Sequence, residues 1–230
     1  MKPAFKISLL AILLAIFLLL LPSRVAAAEY KLEKGGAPPD ELAPVVREAL
    51  AGEGLRIVGP EGALCEVWFR KLVPMRAGAA QELGIAYPQF AEGTLLGAVR
   101  FLTETKDYRR QGVKPGMYTL RYALHPVDGN HLGVAPQRDF LLLVPAAADA
   151  SPANITYNNL LALSRKASGT NHPSVWSLEP AAGETAEPKL WHKEEEDHWV
   201  LEFPARMQAE GGAAQTRTLG LVVVGSAPEA

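Results

Sequence analysis

The sequence predicts a mainly β protein, a single antiparallel β-sandwich with about two short peripheral helices. Three observations support this fold class. Short segments of alternating apolar and polar residues recur along the chain, and Gly- and Pro-rich turns separate them. Only two segments have apolar residues at helical spacing. These two do not alternate with the strands, which argues against a parallel βαβ sheet.

The first 28 residues have the pattern of an export signal. Lys2 and Lys6 precede an apolar run over residues 7–21, and small residues follow at 26–28. The run would reach about 22 Å as a helix, short of the roughly 30 Å of a bilayer core. A cleaved signal is therefore favoured over a membrane anchor, and the protein is expected in the periplasm of a bacterium or outside the cell.

The rest of the chain is expected to form one domain. Residues 29–39 are polar and rich in Gly and Pro, so they are interpreted as a linker, and residues 40–230 as the β-sandwich domain. No later segment is apolar enough to span a membrane. Roughly 200 residues remain after the leader, enough to bury a sizeable core.

Charge and cysteine content exclude several classes of protein. The formal charge of the whole chain is −2, and loss of the basic leader makes the mature chain more acidic, which argues against a nucleic-acid partner. Cys65 is the only cysteine, so no disulfide forms within the chain. Its apolar neighbours predict a buried, unreactive thiol.

The first helix and the first strands follow in order. Apolar residues recur at helical spacing between Leu42 and Leu50, and Asp40 is a candidate N-cap. This helix is expected to pack over an open end of the sheet. Alternation or short apolar runs then predict strands at residues 63–72, 94–102, 117–124 and 139–144.

The second half of the chain contains a crossover, a helix and three strands. The Ala- and Pro-rich residues 145–152 suit a crossover, and residues 157–167 suit a helix capped by Asn154 or Thr156. A strand at 174–179, a hairpin of 190–193 with 199–203, and a final strand at 219–225 complete the predicted sheet.

A local resemblance covers the turn before the third predicted strand. Residues 113–120, VKPGMYTL, resemble the turn-and-strand of prealbumin-like β-sandwich modules in exported bacterial proteins. The longer stretch 107–145 resembles a family of uncharacterised exported bacterial proteins. The longer resemblance implies an exported domain of unknown function, and it assigns no catalytic residue.

The loop after residues 117–124 is the predicted binding site. Loops at the ends of sandwiches often carry recognition residues. Arg121, His125, Asp128 and His131 are the candidate ligand-binding residues, with Arg121 and His125 suited to an anion. A structural loop, in which Asp128 bonds to nearby backbone, is the competing interpretation.

The same loop suggests a metal-dependent hydrolase as an alternative. His125, Asp128 and His131, or His125, His131 and Asp139, offer imidazole and carboxylate ligands. Their spacing fits no standard metal motif, and Arg121 places a positive charge nearby. The leading interpretation therefore includes no metal and no cofactor.

Two other clusters offer weaker signals. His192 and His198 flank an acidic turn and could face each other in a hairpin, although a charged, exposed turn is the simpler interpretation. Trp68 lies on the polar face of its strand and could stack on a sugar. This feature indicates a carbohydrate-binding module as a further alternative, while burial of the ring is the commoner fate.

The function predicted from sequence is a non-enzymatic binding or structural module with an unidentified partner. The chain contains no nucleophile elbow, no HExxH motif, no P-loop and no dinucleotide-binding glycine motif. These absences favour a binding role over catalysis.

Overall fold

The computed structural model describes residues 29–127 and 135–228, and within them the protein is mainly β. Strands make up 42% of the structure and helices 11%. The helices are α1 (Pro44–Ala49) and α2 (Tyr157–Ser168). The strands are β1 (Lys31–Lys34), β2 (Leu55–Gly59), β3 (Gly62–Phe69), β4 (Val73–Met75), β5 (Leu95–Phe101), β6 (Thr105–Lys106), β7 (Gly112–Val113), β8 (Gly116–Leu124), β9 (Asp139–Pro145), β10 (Val175–Glu179), β11 (Lys189–Lys193), β12 (His198–Ala209) and β13 (Gln215–Val224).

Eleven strands form one large, curled sheet with the shape of a half-barrel. Its strand order is β1-β2-β3-β5-β8-β9-β10-β13-β12-β11, and neighbours along this path are antiparallel. The prediction of a mainly β fold with two helices is confirmed. A division into two stacked sheets is not evident within the described ranges. The predicted antiparallel arrangement does not extend to β4, which pairs with β12 in parallel.

Strand β10 connects the two halves of the curled sheet. Its first three residues pair with β9, whereas Leu178 and Glu179 pair with β13. A strand that changes partner along its length turns the sheet through a corner. The concave side then encloses the main core, which includes Ile57, Cys65, Val67, Val99, Phe101, Leu120, Leu141, Leu178, Leu201, Phe203, Leu219 and Leu221.

Cys65 belongs to this core, as the sequence predicted. Its side chain is fully buried and its thiol is free. Burial, and then the nearby charge of Glu66, raise the pKa of the thiol far above its ordinary value. A thiol that stays protonated is a poor nucleophile, which accords with an inert structural cysteine.

Helix α1 covers the outer face of β3 and β5. Leu42, Val46 and Leu50 form a second cluster with Trp68, whose ring is 1% exposed. The indole Nε1 donates to the carbonyl of Gly36 at 2.8 Å. Trp68 is therefore closed off from any sugar, because the helix occupies the polar-looking face of its strand. Asp40 does not cap α1 and instead pairs with Arg47.

Helix α2 covers the outer face of β9 and β10. Leu160 packs with Phe140, Leu142, Val144 and Val175 in a third cluster. The helix starts after Thr156 and ends at Gly169, whose φ of 67° closes it in the left-handed conformation. Both predicted helices thus act as lids on the convex side of the sheet.

The N-terminal edge of the sheet lies in the segment interpreted as a linker. Lys31–Lys34 pair in register with Leu55–Val58 to form β1. The predicted leader, residues 1–28, lies outside the described residues. Among the described residues, no helix has the length and apolar character needed to cross a membrane.

Candidate functional site

The predicted binding loop is described only in part. Asp128 and His131 lie outside the described residues, whereas Arg121, His125 and Asp139 lie within them. His125 packs its ring edge against Phe140, with centroids 3.9 Å apart. Phe140 belongs to the outer cluster beneath α2, so His125 faces the convex side of the sheet.

Asp139 faces the opposite side. It pairs in register with Leu124, and its carboxylate accepts hydrogen bonds from the backbone N–H groups of Ala86 at 2.8 Å and Tyr87 at 3.0 Å. The Tyr122 hydroxyl donates a third bond at 2.8 Å. Because consecutive residues of a strand point to opposite faces, Asp139 and His125 do not converge. The two described members of the predicted metal set, His125 and Asp139, therefore lie on opposite faces of the sheet, and the third, His131, lies outside the described residues.

The surroundings of Asp139 mark it as a structural group. Its side chain is fully buried, and burial raises the pKa of the carboxyl group despite the hydrogen bonds that it accepts. Burial and then the charge of Asp139 also raise the pKa of the Tyr122 hydroxyl. Asp139 fastens the segment before β5 to the interior of the sheet.

Arg121 is also committed to the fold. Its Nε and one Nη2 hydrogen bind the two carboxylate oxygens of Asp149 at 2.8 and 2.7 Å. The remaining three N–H groups donate to backbone carbonyls of Gly93, Ser151 and Ala153. All five donors of the guanidinium are occupied, so none remains for a ligand.

The backbone around Arg121 is shaped to fit it. Gly93 has a φ of 83°, and a Cβ at this position would overlap the carbonyl oxygen of Ile155. Thr119 adds a hydroxyl donor to Asp149. The predicted anion pocket of Arg121 and His125 is thus replaced by an internal clamp that fastens residues 149–153 onto β8.

The two hairpin histidines point to opposite faces of the sheet. His192 pairs with Trp199 on the inner side, where the two rings stack at 4.9 Å, and its Nε2 lies 2.7 Å from Asp197 Oδ1. His198 pairs with Lys193 and faces the outer side. No group of three metal-ligating side chains converges anywhere in residues 29–127 or 135–228.

His198 forms a buried ion pair with Glu179. Its Nδ1 lies 3.0 Å from Glu179 Oε1, and its Nε2 lies 3.1 Å from the carbonyl oxygen of Ser226. A carbonyl only accepts, so Nε2 carries a proton, and a second proton at Nδ1 satisfies the carboxylate. Burial alone would lower the pKa of His198, but the bonds to Glu179 and Ser226 raise it above its ordinary value.

A cavity lies where the two ends of the curled sheet approach each other. Strands β1 and β11 come close, but no described residues pair them. The gap between these two strands is here called the seam. Tyr30 and Trp199 close one end of it, with ring centroids 5.3 Å apart. At the other end the strands diverge and enclose a volume of about 580 Å³, here called the seam cavity.

The seam cavity has an apolar floor and a charged rim. Its floor is formed by side chains that border the main core, namely Leu32, Leu55, Val67, Phe69 and Phe203. Its exposed rim carries both signs of charge, from Glu33, Lys34, Glu53, Lys71, Glu187 and Arg206. Lys34 and Glu53 pair across 3.7 Å, so part of this charge is already neutralised.

The cavity opens at a gap in the partners of β12. Residues 203–206 lie beyond the end of β11 and before the start of β4, so this edge of β12 has no neighbouring strand. Pro204 lies in the gap. Since proline cannot donate to a ladder, a proline inside a strand signals an unpaired edge, and this was the sequence signal that could have located the site.

Comparisons with known proteins add no family to this picture. No protein-family model, no curated protein and no solved structure matches the chain.

Proposed function

We propose that this chain is an exported, non-enzymatic binding protein that holds a small, mainly apolar molecule in the seam cavity. The observation that carries the proposal is the cavity of about 580 Å³ with an apolar floor at the seam between the two ends of the curled sheet. Ligand pockets commonly have volumes of 300–1,000 Å³ and are lined mainly by apolar side chains. A rim with charges of both signs favours a ligand that is neutral or zwitterionic.

The packing at the seam supports a preformed site. The rings of Phe69 and Phe203 stack with centroids 3.4 Å apart, so β3 and β12 face each other across the core. We propose that this part of the curled sheet acts as the two layers of a flattened antiparallel sandwich. Side chains already fixed by packing lose little conformational freedom when a ligand binds.

A neutral fluorescent probe tests the binding site. We expect 1-aminoanthracene to bind the purified protein with enhanced emission, because the floor of the seam cavity shields it from water. Leu55→Trp fills the floor and should weaken binding about tenfold, or about 1.4 kcal/mol. Leu72→Trp adds the same ring at an exposed position outside the cavity and is the matched control.

Two results would contradict this function. One is a wild-type protein that gives no enhanced emission, and the other is equal affinity in the wild type, Leu55→Trp and Leu72→Trp. Far-ultraviolet circular dichroism of each variant distinguishes lost binding from lost folding. Leu32→Trp, at another floor position, provides a second variant if Leu55→Trp does not fold.

The export part of the proposal depends on the N-terminal sequence. A basic start, an apolar run over residues 7–21 and small residues at 26–28 support a leader. We expect protein recovered from the periplasm or medium of a bacterial host to begin at Glu29. An intact N-terminus on exported protein, found by N-terminal sequencing, would refute cleavage at this point.

A further inference from the structure

A second cavity lies on the outer face of the sheet, away from the seam cavity. It has a volume of about 300 Å³ and lies between β8, β9, β10 and α2. Its floor is apolar and consists of Ala123, Phe140, Leu142, Leu161 and Val175. We call it the outer pocket.

The charged side chains that the described residues place around the outer pocket are arginines. Arg109 and Arg165 are among its described lining residues, together with His125 and His172, and none of these described residues is Asp or Glu. In the described ranges, no carboxylate pairs with the guanidinium groups of Arg109 and Arg165. Two arginines beside an apolar floor, without acidic partners, create a positive potential that favours an anion.

One wall of the pocket is held in place before any ligand arrives. The carbonyl oxygen of His172 accepts a hydrogen bond from Ser168 Oγ at 2.6 Å. Thr170 Oγ1 donates to Gln111 Oε1 at 2.7 Å, which connects this turn to the loop after β6. A wall fixed in this way lowers the entropy lost on binding.

We infer that the outer pocket binds a small organic anion, an apolar body that carries one carboxylate, sulfonate or phosphate group. The apolar body would contact Phe140 and Leu161, and the anionic group would contact Arg109 and Arg165. A planar guanidinium matches the two oxygens of such a group and binds them in parallel. This inference is independent of the seam cavity, whose rim carries charges of both signs.

The test compares an anion with a neutral molecule of the same shape. We expect isothermal titration to show binding of 1-naphthoate and at least fivefold weaker binding of 1-naphthalenemethanol. Arg109→Gln and Arg165→Gln should each weaken naphthoate binding at least about tenfold, the lower end of the range for hydrogen bonds to charged groups. Lys166→Gln removes the neighbouring charge on α2 outside the pocket and should leave affinity unchanged.

Several results would overturn the inference. They are no binding of naphthoate, equal binding of the two probes, or equal losses in Lys166→Gln and Arg165→Gln. Loss of naphthoate binding in Leu55→Trp would move the anion to the seam cavity and would also refute the outer pocket. Binding of 1-aminoanthracene is measured separately, so failure of this inference and failure of the proposed function remain distinguishable.

Discussion

Two buried ion pairs of the sheet illustrate different uses of charge. Arg121 and Asp149 form a pair in which every guanidinium donor has an acceptor. His198 and Glu179 form a pair that depends on a titratable imidazole. Both pairs are almost fully buried, at 0 and 2% exposed side chain for the first and 3 and 11% for the second. Both pairs therefore stabilise the fold, but the second pair is expected to do so in a way that depends on pH.

The largest expected effect comes from breaking the arginine pair. Asp149→Asn keeps the shape of the side chain but leaves the Arg121 charge buried without a counter-charge. We expect the free energy of unfolding to fall by about 3–5 kcal/mol, as for other broken buried pairs. Urea denaturation measures this loss, and a change below about 1 kcal/mol would show that Arg121 does not act as the clamp described above.

The histidine pair should make stability depend on pH. The pKa of His198 is raised in the folded protein, so protonation of His198 stabilises the fold. This stabilisation is complete below the ordinary histidine pKa of 6.5 and is lost as pH rises through the pKa of the folded state. Burial alone would raise the pKa of Glu179, but His198 and Lys193 lower it below its ordinary value. The stabilisation by ionised Glu179 is therefore complete above pH 4.5 and is lost in acid. The pair should therefore stabilise most between about pH 4.5 and 6.5.

His198→Gln tests this dependence by removing the titration. We expect the wild-type melting temperature to fall between pH 6 and pH 8.5 by more than that of the variant. Lys193 and Glu196 also face this cluster, and both remain in the variant. Parallel pH profiles in the two proteins would mean that His198 does not titrate in this range.

The smallest effect is expected at an exposed pair. Arg100 Nη2 lies 2.6 Å from Glu41 Oε1, and the Glu41 side chain is 58% exposed. Glu41→Gln should change the free energy of unfolding by no more than about 1 kcal/mol, because water screens the charges. The same urea assay thus tests whether burial, and not the short distance alone, makes the Arg121 pair strong.

Strand positions were predictable where local alternation is strong. The segment of β8 alternates cleanly, and the structure forms a strand from Gly116 to Leu124. β1 was not predicted, because its sequence, KLEK, has a single apolar residue and depends on β2 for its register. Edge strands often carry such charges, so local patterns detect them poorly.

The site was harder to predict because the segments that bury its residues come from distant parts of the chain. The sequence around Arg121 suggests an exposed side chain that could bind a ligand, yet residues 149–153 fold over it and accept its hydrogen bonds. Trp68 resembles an exposed platform, yet α1 packs on it. The seam cavity likewise forms only where β1–β3 pack near β12. The periodicity of a single segment cannot predict which distant strands will lie close together.

The position of the sole cysteine has a practical consequence for measuring motion. Cys65 lies on the concave side of the sheet, between its partners Ile57 and Phe101, with no exposed surface. A thiol reagent can reach the sulfur only after these strands separate, so the rate of labelling follows the opening of the curl. The labelling rate of Cys65 therefore reports how often the sheet opens. It requires no engineered cysteine and can be measured with and without a small molecule present.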